Sequence, residues 1–352
     1  DPYWHGIFGG IYLPNLRHEV YKNLITAERE LDEVEKKNSS SVIEADFNCD
    51  GTADVIVESD KFIIAFDPSR GGAISELSFK PKSFNLTNFI NRIPEASHEK
   101  LKGSATDTKR EGAASIHDIV LTKEEGLEKH LLYDWYRHGC FIEHFLSKDA
   151  TLDDFATQQF LEFGDFFKSS IIPKVTSTDT EVKLEFEHEG NVTHSLTNNE
   201  SHKILLKKNI SAQYGSSDLK IDYFLQNNSD TPIDIRFASE WTFGLLAGDA
   251  HDRYFESPGV ALSDIDKQLR SKGEIGNATE LSLTDEWGGY RIEIDTAEPC
   301  TFWRAPIESV ASSEAGFERL YQGSVIFGVW SFTLDPQENR SLGMVLRVLE
   351  RQ

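Results

Sequence analysis

The sequence predicts a mainly β protein: a large antiparallel β-sandwich preceded by one long α-helix. Three observations carry that expectation. Apolar residues in the first forty positions recur at helical spacing; after Asn38 they alternate with polar neighbours or form short runs bounded by Gly, Pro, Asn and Asp; and the strand-length and helix-length segments never alternate as a parallel βαβ sheet requires.

The helix is expected over Pro14 to Lys37. Leu13, Leu16, Val20, Leu24, Ala27, Leu31 and Val34 share one stripe, and Arg17, Glu19, Lys22, Arg29, Glu30 and Glu33 take the opposite face. Pro14 suits the first turn, where an amide hydrogen has no helical partner. The polar run Asn38-Ser39-Ser40-Ser41 ends the helix and divides the chain into residues 1–40, the end of a helical domain, and residues 41–352, the sandwich. A lone helix cannot bury its own stripe, so this one needs partners.

Beyond the break, strands are expected at Val55 to Val57, at Phe62, Ile64 and Phe66, at Val182, Leu184 and Phe186, and at Leu219 to Leu225. After the Gln226 to Asp230 turn, Ile233, Ile235 and Phe237 continue the pattern, and Val325 to Leu334 and Leu342 to Leu349 flank the turn at Asp335 to Asn339. Glu95 to Ser115 reads as a long polar loop, and Phe302 onward as a strand that breaks at Pro306 into a polar loop and returns near Tyr321-Gln322-Gly323. In Tyr133 to His138, alternation puts Tyr133, Trp135 and Arg137 on one face and Asp134, Tyr136 and His138 on the other.

The 352 residues suffice for about two domains, with 59 acidic against 36 basic side chains and a net charge of −23. Such a polyanion repels phosphate backbones and anionic headgroups, so neither nucleic acid nor a membrane surface is an expected partner. Cys49, Cys140 and Cys300 are odd in number and widely spaced, which argues against a disulfide framework or an all-cysteine zinc site. A start at Asp1-Pro2, with Met344 the sole methionine, suggests a piece of a longer polypeptide whose upstream part holds the chemistry.

Motifs for dinucleotides, nucleoside triphosphates, zincins and α/β-hydrolases are absent from the sequence. Three candidate stretches remain, one being the aromatic runs Phe302 to Gly323 and Tyr133 to His138, each of which could be a sugar platform, with aromatic sandwich core as the alternative. In Tyr3-Trp4-His5-Gly6-Ile7-Phe8-Gly9-Gly10, glycines allow close backbone approach and Trp4 offers a flat face to a pyranose ring; a Trp packed under a loop is the alternative. In Asp46 to Asp54, the oxygen-bearing Asp46, Asn48, Asp50 and Asp54, the Thr52 carbonyl and the turn at Gly51 match the first nine positions of an EF-hand loop. This predicts a structural Ca²⁺, although position 12 is Val57 and Glu58 comes one residue late; an Asx-rich turn is the alternative.

At these residues the chain resembles the C-terminal half of glycoside hydrolase family 57, in its α-amylase/4-α-glucanotransferase branch. Tyr3 to Arg17 is similar to that family's fifth conserved region leading into the last helix of its bundle domain, and Asp46 to Phe62 to the start of its C-terminal sandwich. Arg92 to His98, Tyr133 to Phe145 and Trp303 to Gly323 are similar to later blocks. The resemblance implies a galactose-mutarotase-like sandwich, a cytoplasmic setting, and an α-glucan or maltooligosaccharide partner. It also implies that Tyr3, Trp4 and His5 help hold the glucan, while the retaining enzyme's two catalytic carboxyls lie in an upstream barrel. No catalytic residue is therefore expected in this chain. The alternative is a standalone carbohydrate-binding module or a mutarotase-like epimerase, for which a carboxylate base and histidine acid would come from Glu143, His144 or Glu240. The sequence sets no oligomeric state.

Overall fold

The computed structural model describes residues 10–36, 39–106, 121–193, 201–313 and 316–351. Helix α1 spans Pro14–Glu35 and closes at Lys36, whose left-handed backbone (φ 54°) turns its amide onto the Asp32 and Glu33 carbonyls. The helix stands where expected but docks by another face. Arg17, His18 and Ile25 are buried against the sandwich, whereas Leu24, Leu31 and Val34 of the apolar stripe are exposed, Val34 by 79%. Helical periodicity found the element; it did not decide which side meets the β domain.

The first sheet is a meander of β1 (Ser41–Ala45), β2 (Asp54–Glu58), β3 (Phe62–Asp67), β4 (Ala73–Phe79) and β5 (Phe84–Asn85). The second sheet has eleven strands: β6 (Ile142–Phe145), β7 (Lys174–Ser177), β8 (Glu181–Thr193), β9 (Ser201–Gln213), β10 (Asp218–Asn227), β11 (Ile233–Phe243), β12 (Arg253–Glu256), β13 (Gly273–Asp285), β14 (Tyr290–Ser313), β15 (Gly316–Leu334) and β16 (Asn339–Glu350). Their spatial order is β6-β11-β15-β14-β16-β10-β9-β8-β7, with β13 and then β12 branching from β14. Every pairing between these strands is antiparallel.

Alternation explains the two-residue period: in β8, Val182, Leu184 and Phe186 point into the core while Lys183, Glu185 and Glu187 face water. The main core lies between the two sheets, where Phe66 meets Phe186 and Phe84 meets Tyr290 at ring separations of 6.3 and 5.1 Å. Removal of this much aliphatic and aromatic surface from water is the principal driving force for the fold. A second apolar cluster covers the other face of the large sheet, where Ile142, Ala238, Phe327 and Val329 pack beneath Tyr136, Phe155, Phe160 and Phe167.

Two expectations about irregular segments are corrected. Within the supposed loop from Glu95, residues Ala96–Thr106 form helix α2, tethered through Leu101 to Leu127, Val310 and Phe317 and through His98 Nε2 to the Val310 carbonyl (2.9 Å); one apolar and one polar anchor leave no apolar periodicity. Nor does Pro306 break its strand, because β14 runs on to Ser313. The ladder from β13 stops at Arg304, so the missing proline amide falls beyond it. Just after the proline, Ile307 pairs with Gly323 but Glu308 with Tyr321, leaving Gln322 as the extra residue of a bulge in β15.

Candidate functional site

That bulge builds the first candidate site, the junction between the N-terminal segment and the sandwich. Freed from strand pairing, Gln322 lies at 1% exposure and joins three elements: its Nε2 donates to the Tyr12 carbonyl (2.9 Å) and Ser309 Oγ (2.7 Å), and its Oε1 accepts from Arg17 Nη2 (2.9 Å). Arg17 also donates to Asn88 Oδ1 (3.1 Å) and to the Ile11 carbonyl (2.5 Å). These acceptors are neutral, and burial pulls the guanidinium down to about 10. Beside it, Tyr12 bonds Glu95 through its hydroxyl. Backbone carbonyls at positions 11 and 12 are thus clamped immediately after the predicted sugar-binding segment. Tyr3, Trp4 and His5 themselves lie outside the described residues.

Against helix α1, a groove of about 680 Å³ runs between its Val20, Leu24 and Ile25 and the sheet residues Ile43, Ile56 and Ile63. In its lining, the buried Asn88 Nδ2 has no hydrogen-bond partner among the described residues, and burial raises the Glu76 carboxyl despite the hydroxyl donated by Ser78.

The second candidate site is a chain of buried ionisable groups on the covered face of the large sheet. Arg92 Nη2 donates to Asp134 Oδ1 (2.5 Å), which lies 3.4 Å from His138 Nε2. His138 Nδ1 meets Glu240 Oε1 at 2.8 Å; Glu240 Oε2 meets His144 Nε2 at 3.2 Å; and His144 Nδ1 meets Glu162 Oε2 at 2.7 Å. Tyr136 OH (2.5 Å), Thr242 Oγ1 (2.9 Å) and the Gly139 amide (3.2 Å) also donate to Glu240. Burial alone drives both imidazoles toward neutrality, but the carboxylates beside them prevail and hold His138 and His144 at about 9. Conversely, burial would protonate Glu240, yet the two imidazolium neighbours hold it far below the ordinary glutamate range.

Successive residues on a strand face opposite ways, and this splits the group named from sequence. On β6 and β11, His144 and Glu240 share the covered face, whereas Glu143 points into the main core. There Glu143 meets Lys208 Nζ at 2.8 Å and accepts from Tyr223 OH at 2.9 Å. The expected split of Tyr133 to His138 is also present, without a strand: Asp134 and His138 point inward with Tyr136, while Trp135 and Arg137 are exposed. Sequence reading missed Arg17, Asn88 and Glu162 as site members, and reached Asp134, His138 and Gln322 only within the two aromatic runs, without the roles the structure gives them. The strand pattern offered no signal, because the face of β11 that carries Glu240 reads Arg236, Ala238, Glu240 and Thr242, with no apolar alternation for a carboxylate to interrupt.

In the acidic loop, Asp46 accepts the amides of Asp50 (3.0 Å) and Gly51 (3.0 Å), Asn48 Oδ1 that of Asp50 (2.9 Å), and Asp50 Oδ1 that of Thr52 (2.8 Å). These are Asx turns. Asp46, Asp50 and Thr52 stay exposed, but Asp54 is buried, accepting the Phe47 and Asn48 amides at 3.0 and 3.1 Å. Among the described residues, no three His, Cys, Asp or Glu side chains are grouped closely enough to hold a metal ion.

A two-sheet antiparallel sandwich with its large sheet covered places the molecule in the galactose-mutarotase-like fold class. A galactose mutarotase-like protein from Clostridium acetobutylicum superposes with a TM-score of 0.53 at 11% identity, over 89% of this chain and 99% of that one. The 4-α-glucanotransferase of Thermococcus litoralis superposes with a TM-score of 0.73 at 26% identity, covering 99% of this chain and 44% of its own. In sequence, residues 46–344 match the family described as alpha-amylase/4-alpha-glucanotransferase, C-terminal, and residues 1–31 match the middle domain of the same proteins. The chain belongs to this alpha-amylase/4-alpha-glucanotransferase family. Alpha-amylase 1 of Dictyoglomus thermophilum is 34% identical over 95% of this chain, and the T. litoralis 4-alpha-glucanotransferase 30% identical over 92%. The chain spans 45% and 43% of those two relatives' lengths.

Proposed function

We propose that this chain is the C-terminal portion of an α-1,4-glucan-processing enzyme, a retaining 4-α-glucanotransferase or α-amylase. Within that enzyme it acts as a structural and substrate-supporting module, and the catalytic carboxyls lie elsewhere in the polypeptide. The observation that carries this reading is the junction. Arg17 and Gln322 fix the backbone at Ile11 and Tyr12, so the sandwich serves as a rigid anchor for the Tyr3-Trp4-His5 segment that precedes them. The exposed stripe of helix α1 supports it too, since Leu24, Leu31 and Val34 suit packing against other helices of a middle domain. In the complete gene product, the reading requires transfer or hydrolysis of maltoheptaose that is lost when residues 41–352 are deleted. A complete product inert toward α-1,4-glucans overturns it.

The proposal includes one structural Ca²⁺ in the acidic loop, held by the exposed Asp46 and Asp50 and the half-buried Asn48 with the Thr52 carbonyl. Burial of Asp54 restricts it to supporting the loop amides.

A second reading, an aldose epimerase, is favoured by one observation: a histidine and a carboxylate, His144 and Glu240, stand side by side on the mutarotase-like face. It ranks lower because both are fully buried and the Tyr136 hydroxyl occupies Glu240 where a sugar hydroxyl would bind. Accelerated mutarotation of α-glucose or α-galactose in a polarimeter would favour this second reading.

A further inference from the structure

We propose that Trp287, at the tip of the β13–β14 hairpin, is the platform of an auxiliary binding subsite for neutral α-glucan chains. It shares no residue with the Tyr3-Trp4-His5 segment or with the buried chain at Glu240. This inference rests on the α-glucan reading above and adds a second point of attachment.

The indole is 58% exposed, yet the turn bearing it is firmly built. Asp285, fully buried, accepts the Gly288 amide at 2.7 Å, and the Glu286 amide donates to the Asp252 carbonyl at 2.9 Å. A side chain at Gly288 would bring its Cβ within 2.4 Å of the Tyr290 ring, and Gly289 has φ +67°, so the turn demands both glycines. The Arg253 guanidinium lies 5.2 Å from the centre of the indole, held by Asp285 (3.2 Å) and Asp252 (3.1 Å). The His18 ring of helix α1 meets it edge-on at 6.2 Å. An exposed tryptophan on a mobile loop needs no explanation, but one braced by a buried, doubly paired arginine is already ordered for a ligand to stack on.

The surroundings choose the ligand. Arg253 and its neighbour Tyr254 also line a groove of about 460 Å³, bordered by Asp249, Glu256, Asp264 and Lys267, the last two on a short helix, α3 (Asp264–Lys267). Tyr254 OH donates to Glu286 Oε1 at 2.8 Å, linking the groove to the residue beside Trp287. A planar apolar face next to a rim of mixed donors and acceptors with acids in excess suits a polyhydroxylated, uncharged chain. Its hydroxyls both donate and accept, whereas an anionic ligand would meet like charge.

The test measures binding of the 352-residue chain to maltoheptaose by tryptophan fluorescence and to glycogen by affinity electrophoresis, for wild type, Trp287→Ala and Glu286→Ala. Melting curves check that each variant is folded. Wild type is expected to bind both probes, Trp287→Ala to lose at least about tenfold in affinity, and Glu286→Ala to lose less. Equal retardation of wild type and folded Trp287→Ala in glycogen gels overturns the inference. So does wild type failing to bind either probe while the complete gene product turns over maltoheptaose, an outcome that leaves the proposed function standing. Binding of cellohexaose through Trp287 with no binding of maltoheptaose overturns this inference and counts against the α-glucan reading.

Discussion

Replacing Glu240 with glutamine keeps the shape of the buried charge chain and removes its central anion. The wild-type carboxylate accepts from five donors, two of them the imidazoles of His138 and His144, in a site where all three residues are fully buried. The amide supplies only one acceptor oxygen and turns an NH₂ toward groups that themselves donate. Removing one partner of a buried ion pair costs about 3–5 kcal/mol. At roughly 2 °C per kcal/mol, the melting midpoint at pH 7 should fall by about 6–10 °C. The pH dependence gives an independent signature. Both histidines are raised from 6.5 to about 9, so their contribution is fully present below pH 6.5 and is lost as pH rises through 9. Each displacement corresponds to about 3 kcal/mol, and because they share Glu240 the two do not add. Wild type should therefore lose stability between pH 7 and 9.5, and Glu240→Gln less, because only Asp134 and Glu162 remain to hold the charge of its two imidazoles. Calorimetry of both proteins across pH 5–10, with the Glu240→Gln/His144→Gln double variant closing a cycle, measures this. A variant melting within 2 °C of wild type, with the same alkaline slope, would refute the reasoning.

Gln322→Ala should cost about 1–3 kcal/mol by taking from Arg17 Nη2 its short acceptor and from the Tyr12 carbonyl its side-chain donor; hydrogen exchange should then quicken over residues 10–25 and stay unchanged in β8 and β9. Lys208→Met strands Glu143 in the main core and should destabilise by about 3–5 kcal/mol, while Lys208→Met/Glu143→Gln recovers part of the loss, both read by urea unfolding. Millimolar Ca²⁺ should raise the melting midpoint over that in a chelator, by about 2.7 kcal/mol in stability at a hundredfold excess over Kd. Asp50→Ala should abolish the difference, and identical wild-type melts in the two conditions dismiss the ion.

What was legible in the sequence was what repeats. The 3.6-residue period of Leu13 to Val34 and the alternation of Val182, Leu184 and Phe186 each report a local surface, and both elements stand where they were read. The helix's docking face was illegible because the contacts that choose it are single polar anchors, Arg17 to Gln322 across 305 positions among them, which leave no period. Helix α2 escaped for the same reason, held as it is, among the described residues, by Leu101 and His98, which set no period. At the Glu240 chain, types were visible and partners were not. Glu143 and His144 adjoin in sequence yet face opposite sides of a strand, whereas His138 and Glu240, 102 positions apart, are hydrogen-bonded. The Trp287 platform depends on Arg253 arriving from a neighbouring strand, which no motif announces.

The proposal most in need of a test is that this chain supports an α-glucan enzyme whose catalytic pair lies elsewhere in the polypeptide. A retaining mechanism needs two accessible carboxyls about 5–5.5 Å apart flanking the bond to be cleaved, and the carboxylate best placed for chemistry here, Glu240, is fully buried among its own donors. The direct measurement is incubation of the purified 352-residue chain with maltoheptaose, products being resolved by chromatography against a buffer control. The account predicts an unchanged maltoheptaose peak, and shorter or longer maltooligosaccharides accumulating in proportion to protein concentration would contradict it.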